Sequence, residues 1–160
     1  MRGPTALVLA LAGLVPAGAT HADFIPDFFQ STEELFCQVC EAQMVERLRS
    51  PSSYERLECE HFDLEPMDEA AYATWRGVDT FDALDEMDRR IFSYGTSYIA
   101  SIFLTYEAAN GFGAQIRGVA RCQARVWDES DAGDVGPYAM RVNGETNIDW
   151  MMGRVLDSLE

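Results

Sequence analysis

The spacing with the clearest chemical meaning in this chain is the CxxC formed by Cys37 and Cys40. A CxxC at the start of a helix lowers the pKa of its first thiol in thiol–disulfide oxidoreductases, because the helix dipole stabilises the thiolate. Here Glu33 and Glu34 precede the pair and Glu41 follows it, and their charge would raise a thiol pKa. No strand of a βαβ unit leads into the motif. We expect structural cysteines, with a thiol–disulfide oxidoreductase as the alternative.

Two further cysteines, Cys59 and Cys122, bring the count to four. An even number in an exported chain favours two disulfides, and four cysteines allow three pairings. A haem attachment site is excluded, because Glu41 stands where CxxCH requires His. One CxxC with two scattered cysteines also matches a zinc site poorly. We therefore predict four disulfide cysteines and no cofactor.

Histidine chemistry would depend on a single residue. The chain has two His, and His21 falls in the predicted leader described below, which leaves His61. His61 lies between Glu60 and Phe62 in a candidate strand and reads as an ordinary strand position. We name no catalytic residue and lean against an enzyme.

Residues 128–134 form an acidic loop that invites comparison with a calcium site. An EF-hand loop needs oxygen ligands at its third and fifth positions and a closing Glu. Ser130 holds the third position, but Ala132 holds the fifth and Ala139 replaces the Glu. The match fails, so we predict no metal residues and keep an acidic cation-binding module as a weaker alternative.

Asn110, Gly111, Phe112 and Gly113 join two strand candidates. Asn and Gly tolerate the positive φ angles of tight turns, so the four residues predict a hairpin. We favour a turn whose phenylalanine folds back on the sheet. The alternative is a recognition loop with Phe112 as an exposed anchor.

Hydrophobic spacing predicts the elements that hold these residues. Ser31 or Thr32 begins a helix with one apolar stripe, and this helix ends before Pro51 with Arg47 and Arg49 in its last turn. Alternation and composition predict strands over 54–64, 97–109, 114–127 and 138–142, and helices over 67–76, 79–92 and 147–159.

Two of these elements carry specific expectations. In the first strand, Leu57 and Cys59 should share one face and Phe62 and Leu64 the other. We interpret the acidic segment 67–92 as a helical insertion. Its second helix should have an acidic face and, on the opposite side, an apolar face formed by Phe81, Leu84, Met87 and Ile91. The sum is an α+β domain: an N-terminal helix packed on a small antiparallel sheet, with a helical insertion and a C-terminal helix.

The N-terminus predicts export. Met1 and Arg2 give a positive start, and residues 6–15 form an unbroken apolar run that small residues follow. This run is too short for a membrane span, which takes about 20 residues. We predict a signal peptide over 1–22, a single exported domain over 23–160 without a membrane span, and a periplasmic or secreted location.

The charge of the chain limits its partners. There are 27 acidic and 12 basic residues, every basic residue is Arg, and the formal net charge is −15. Such a surface disfavours nucleic acid and anionic membranes, because both repel it. A protein or another component of the cell envelope is the expected partner.

Three pieces of sequence together resemble a family of small exported bacterial domains of unknown function. They are a helix containing 40–48 followed closely by the Ser-Pro-Ser-Ser-Tyr of 50–54, the stretch 106–117 with the Asn-Gly-Phe-Gly turn, and Cys122 in the following strand. The resemblance covers roughly residues 36–127. It implies an α+β domain with a helix against a sheet, and it brings no activity and no catalytic residue.

The resemblance also implies a disulfide pairing. It joins the positions of Cys40 and Cys122, which leaves Cys37 for Cys59. Cys37 and Cys59 depart from the family pattern, so the second pair has no support from it. The function that we expect is a non-enzymatic binding or structural role at the cell envelope.

Overall fold

The computed structural model describes residues 30–157, so the predicted signal peptide and residues 158–160 lie outside it. Its helices are α1 (Thr32–Arg47), α2 (Glu69–Arg76), α3 (Glu86–Ser93), α4 (Glu129–Gly133) and α5 (Asn147–Asp157). Its strands are β1 (Glu55–Pro66), β2 (Tyr98–Ala109), β3 (Gln115–Val126), β4 (Arg141–Val142) and β5 (Glu145–Thr146). The strands form one antiparallel sheet in the order β1-β2-β3-β4-β5. The predicted α+β class is confirmed.

Helix α1 begins as the sequence predicts and ends earlier. The Ser31 hydroxyl accepts a hydrogen bond from the Glu34 N–H at 3.2 Å, which caps the first turn. The last helical residue is Arg47, and Leu48 is already extended, so Arg49 lies beyond the helix. The Arg47 guanidinium instead reaches the sheet, where it donates to the carbonyls of Val142 and Glu145 at 3.0 and 3.1 Å.

Strand β1 corrects the predicted face assignment. Its pairing with β2 is irregular between Arg56 and Glu58 and again between Glu60 and Asp63. Each irregularity adds a residue, and an added residue reverses the faces of those that follow. Cys59, Phe62 and Leu64 consequently all pack against the main core, while Leu57 is exposed.

The remaining sheet is regular. Strands β2 and β3 pair without interruption from Tyr98↔Val126 to Ala109↔Gln115. The predicted strand over 138–142 shrinks to β4, and it turns straight into β5 through Asn143 and Gly144. Both turn residues have positive φ (54° and 89°), as a type I′ hairpin turn requires.

The main core lies between α1 and one face of the sheet. Helix α1 contributes Phe36, Cys37, Cys40 and Met44, and the strands contribute alternating small and branched residues of β2 and β3. Part of the predicted acidic loop forms the short helix α4. Ala132 of this helix belongs to the same cluster.

A second cluster lies on the other face of the sheet. Its buried members are Met67, Tyr72 and Leu84, and Ile99 of β2 packs against them. Since Ile99 and the core residue Ala100 are adjacent in β2, their side chains point to opposite faces. Segment 67–92 therefore covers the outer face at the Ile99 end of the sheet.

Within segment 67–92 the second predicted helix is divided. A single 3-10 turn at Phe81–Ala83 precedes α3, which starts only after Asp85, whose carboxylate accepts from the Asp88 N–H at 2.8 Å. Met87 is 63% exposed and does not join the predicted apolar face. The interpretation of 67–92 as an insertion stays a prediction.

Two disulfides fasten α1 to the sheet. Cys37 pairs with Cys59 of β1 and Cys40 pairs with Cys122 of β3, with Cα–Cα distances of 6.3 and 5.7 Å. This is the pairing that the sequence analysis favoured. Among residues 30–157, no helix has the length and apolar character needed to cross a membrane.

The two disulfides should differ in their contribution to stability. They close loops of 22 and 82 residues, for which loop-closure entropy gives about 3.5 and about 4.5 kcal/mol. Replacing Cys40 and Cys122 with Ala should therefore lower the free energy of unfolding more than replacing Cys37 and Cys59 with Ala. Urea titration of both double variants measures the difference. A larger loss from the Cys37–Cys59 pair would contradict the loop-length argument.

Candidate functional site

The CxxC cysteines do not form an exposed dithiol. Cys37 is 1% and Cys40 is 0% exposed, and each is bonded to a different strand. All four cysteines are paired. Arg56 of β1 lies beside the first bridge: it donates to Cys37 Sγ at 3.4 Å and contacts the Glu34 carboxylate at 3.2 Å. The motif therefore serves as two adjacent attachment points for α1, with no thiol placed to attack a substrate.

The carboxylates of the acidic loop accept hydrogen bonds from backbone N–H groups of the same segment. Asp128 caps α4 by accepting from the N–H groups of Ser130 and Asp131 at 2.8 and 3.1 Å. Its hydrogen bond with the Ser130 hydroxyl, followed by these backbone bonds, lowers the pKa of the Asp128 carboxyl. Asp131 in turn accepts from the Trp127 N–H at 3.1 Å. Within residues 30–157 no group of three or more His, Cys, Asp or Glu converges as metal ligands would.

His61 is not at an ordinary strand position. It sits in the second irregularity of β1 with a φ of +62°, a conformation that few non-glycine residues adopt. It lines a shallow cleft of about 360 Å³ with Asp63, Ser101, Phe103 and Arg121.

The cleft holds a serine, a histidine and an aspartate, but these residues do not form the hydrogen-bonded chain of a catalytic triad. His61 Nε2 lies 3.2 Å from a Glu60 carboxylate oxygen, and Asp63 accepts from the Leu64 N–H at 2.9 Å. No hydrogen bond joins His61 to Ser101 in the described chain, so a nucleophile–base relay is not formed there.

The Asn110–Gly113 turn is held by several hydrogen bonds. The Asn110 side-chain oxygen accepts from the N–H groups of Phe112 and Ala114 at 2.9 and 3.1 Å. Ser53 fixes the base of the hairpin, because its hydroxyl accepts from the Ala109 N–H at 2.7 Å and donates to the Ser50 carbonyl at 2.7 Å. The turn is thus anchored to both the hairpin and the segment that follows α1.

Phe112 does not fold back on the sheet. Its side chain is 99% exposed at the tip of this turn, so the interpretation that the sequence favoured is wrong for this residue. The hydrogen bonds to Asn110 fix the backbone of the turn, and in this conformation the Phe112 ring points away from the core. The geometry is that of the alternative, an exposed aromatic anchor.

Beside the tip lies a concave surface, which we call the hairpin groove. It has a volume of about 450 Å³ and is lined by the end of α1 and the ends of β2 and β3. The apolar residues that line it are Met44, Leu48, Tyr106, Ala108, Ala109, Phe112 and Ile116. The two cations that line it are Arg47 and Arg49.

Strand and helix lengths explain the groove. Twelve residues of β2 or β3 extend about 40 Å, whereas the sixteen residues of α1 extend about 24 Å. The helix therefore leaves part of the inner face uncovered at the hairpin end. Ile116 of β3 is 50% exposed there, whereas Ala108, its partner on β2, is 1% exposed.

The polar groups of the groove differ in their exposure to solvent. The Arg47 side chain is 8% exposed, and burial lowers the pKa of its guanidinium although Glu145 and Glu46 oppose the change. Burial also raises the pKa of the Tyr106 hydroxyl. Arg49, in contrast, is exposed and lies across Gly111. The groove thus has one buried cation, which is already bonded to the carbonyls of Val142 and Glu145, and one exposed cation at its edge.

Sequence reasoning identified the turn and missed the rest of the groove. Met44, Leu48 and Ile116 read as ordinary core residues, since they continue the apolar stripes of α1 and β3. The signal that could have located the groove is the mismatch in length between the helix and the strands.

Comparison with known proteins assigns no role to these residues: no protein-family model, no curated protein and no solved structure matches this chain.

Two glycines of the turn should respond differently to substitution. Gly113 has a φ of +82°, whereas a Cβ on Gly111 would only meet Arg49 at 3.4 Å without a positive φ. Gly113→Ala should lower the free energy of unfolding by about 1–2 kcal/mol, because an L-residue is strained in that conformation. Gly111→Ala is the matched control and should change stability by less than about 0.5 kcal/mol. Equal effects in thermal unfolding would show that the turn is not held in this conformation.

Proposed function

We propose that this protein is a non-enzymatic binding domain of the periplasm or the external medium, which holds a protein or another envelope component at its hairpin groove. The observation that carries the proposal is the 99% exposed ring of Phe112 next to an apolar groove of about 450 Å³. An aromatic ring exposed on a rigid turn is costly to leave in water and gains when a partner covers it.

The rigidity of the turn supports this function. The Asn110 and Ser53 hydrogen bonds hold the hairpin before any partner arrives. A preordered loop loses less conformational freedom on binding, so more of the contact energy remains as affinity. Burial of one phenylalanine is worth about 1.5–3 kcal/mol, which is typical of the central residue of an interface.

The groove also limits the chemistry of the partner. Its apolar floor suits aliphatic or aromatic side chains, and the exposed Arg49 at its edge suits carbonyl or carboxylate oxygens. Nucleic acid does not fit, because the chain as a whole carries a formal charge of −15. A peptide segment with apolar side chains and an acidic group meets both conditions.

The proposed location follows from the predicted signal peptide together with the two disulfides. Disulfides form and persist in oxidising compartments such as the periplasm, and all four cysteines are bonded. The buried positions of Cys37 and Cys40 favour a structural role, so we do not propose redox catalysis.

Photo-crosslinking tests the proposal. Benzoylphenylalanine at position 112 should give an adduct of discrete mass in the cells that export the protein, because Phe112 would lie inside the interface. The matched control is position 138, since Tyr138 is also aromatic and 70% exposed but does not line the groove. It should give no such adduct.

Competition makes the experiment specific. Excess purified protein should suppress the adduct, whereas the Phe112→Ser protein should not. Because Phe112 makes no core contact, this substitution should alter stability by less than about 0.5 kcal/mol. Identical adducts at positions 112 and 138, or none at 112, would refute binding at the hairpin groove.

A further inference from the structure

The chain contains two Asn-Gly pairs, and each of them lies in a turn between two strands. Asn110-Gly111 joins β2 to β3, and Asn143-Gly144 joins β4 to β5. An asparagine before a glycine can lose its side-chain amide, because the glycine nitrogen can attack the amide carbon and no Cβ hinders the approach. The two pairs are alike in sequence, but the structure holds their asparagine side chains in different ways.

The Asn110 side chain folds over its own turn. Its oxygen accepts from the N–H groups of Phe112 and Ala114 at 2.9 and 3.1 Å. The bond from Phe112 closes a ring of atoms that includes the Gly111 nitrogen, so the amide group of Asn110 lies over the peptide that contains this nitrogen. Within residues 30–157 the Gly111 N–H donates no hydrogen bond, and the nitrogen is therefore available for attack.

The surroundings of Asn110 also stabilise the charges that the attack creates. As the nitrogen adds to the amide carbon, negative charge develops on the Asn110 oxygen, and backbone N–H groups at about 2.7–3.1 Å stabilise such an oxyanion. The two donors from Phe112 and Ala114 already lie at these distances. The Arg49 side chain lies across Gly111, where its positive charge favours the glycine nitrogen that has lost its proton.

Asn143 is bonded to a neighbouring strand instead. Its oxygen accepts from the Arg121 N–H at 2.9 Å, and its own N–H donates to the Arg121 carbonyl at 2.8 Å. Arg121 belongs to β3, which lies outside the turn between β4 and β5. Attack by the Gly144 nitrogen would require the side chain to leave Arg121, so the structure protects this pair.

We propose that Asn110 is a site of spontaneous deamidation in the folded protein, whereas Asn143 is protected. Hydroxide removes the proton of the Gly111 N–H, and the nitrogen forms a bond with Cγ of Asn110. The bond between Cγ and Nδ2 then breaks, and the amide nitrogen takes a proton from water and leaves as ammonia. Water opens the resulting cyclic succinimide to aspartate or isoaspartate. The whole reaction consumes one water and releases one ammonia, and nothing is oxidised or reduced.

The two products affect the turn differently. Aspartate retains an oxygen that can accept from Phe112 and Ala114, whereas isoaspartate adds a methylene to the backbone of the turn and displaces the Phe112 ring. The deamidation itself does not depend on the proposed function of the hairpin groove. Only its consequence for a bound partner rests on that function.

Incorporation of heavy oxygen tests this inference. The purified, disulfide-intact protein is incubated at neutral pH in water enriched in heavy oxygen and is then digested with trypsin, which cuts after Arg117 and Arg141 and so places the two asparagines in different peptides. Mass spectrometry should show label at position 110 at least about tenfold faster than at position 143. After reduction and unfolding in urea, the two positions should react at rates within about threefold of each other.

Gly111→Ala is the variant that tests ring closure. It should fold like the wild type and should slow deamidation at Asn110 by about tenfold, because the new Cβ hinders the attacking nitrogen. Absence of label at position 110, equal rates at the two positions in the folded protein, or a ratio that unfolding leaves unchanged would overturn the proposal. An unaltered rate in Gly111→Ala would equally contradict the attack by the Gly111 nitrogen.

Discussion

Two disulfides leave the same turn of α1, and the rest of the structure depends on this constraint. Cys37 and Cys40 are three residues apart, so their side chains lie on one face of the helix. Their partners, Cys59 and Cys122, lie on β1 and β3, which flank β2. The helix is therefore fixed across the central strand at two points, and neither its position along the sheet nor its rotation about its own axis can change without breaking a bond.

The fixed position of α1 explains the irregular pairing of β1 and the hairpin groove. Strand β1 must bring Cys59 and then Phe62 and Leu64 to the helix side, and it does so by inserting a residue on either side of the segment that contains Cys59. His61 takes its positive φ as part of the second irregularity. At the other end of the sheet, α1 stops before the strands do, and the inner face beyond it becomes the hairpin groove. The attachment of α1 by two disulfides thus accounts for the positive φ of His61 and for the hairpin groove.

The hairpin groove and the exposed apolar residues of α5 (Ile148, Met151, Met152, Val155 and Leu156) arise in different ways. The hairpin groove is a consequence of unequal element lengths, and Phe112 stands beside it because Asn110 directs the turn. These α5 residues are exposed because the other side of the helix is attached: Arg47 donates to the carbonyls of Val142 and Glu145 and lies over the Trp150 ring, and Asn147 is buried. Arg47 therefore contributes to the lining of the groove and to the attachment of α5.

Local patterns in the sequence determined the class of the fold and most of its elements. Ser31 and Pro51 bounded α1, apolar alternation produced β2 and β3, and Asn and Gly placed the turn between them, because each of these effects acts within a few residues. The Asn143-Gly144 pair carries an equally local hairpin signal. Tertiary structure alone decided the faces of β1, the opening of the hairpin groove and the exposure of the apolar residues of α5. Each of these depends on where a distant segment lies: β2 for the extra residues of β1, the end of α1 for the groove, and Arg47 for the rotation of α5. A helical or alternating pattern shows that an element has two different faces, and only the packing of the whole chain decides which face is covered.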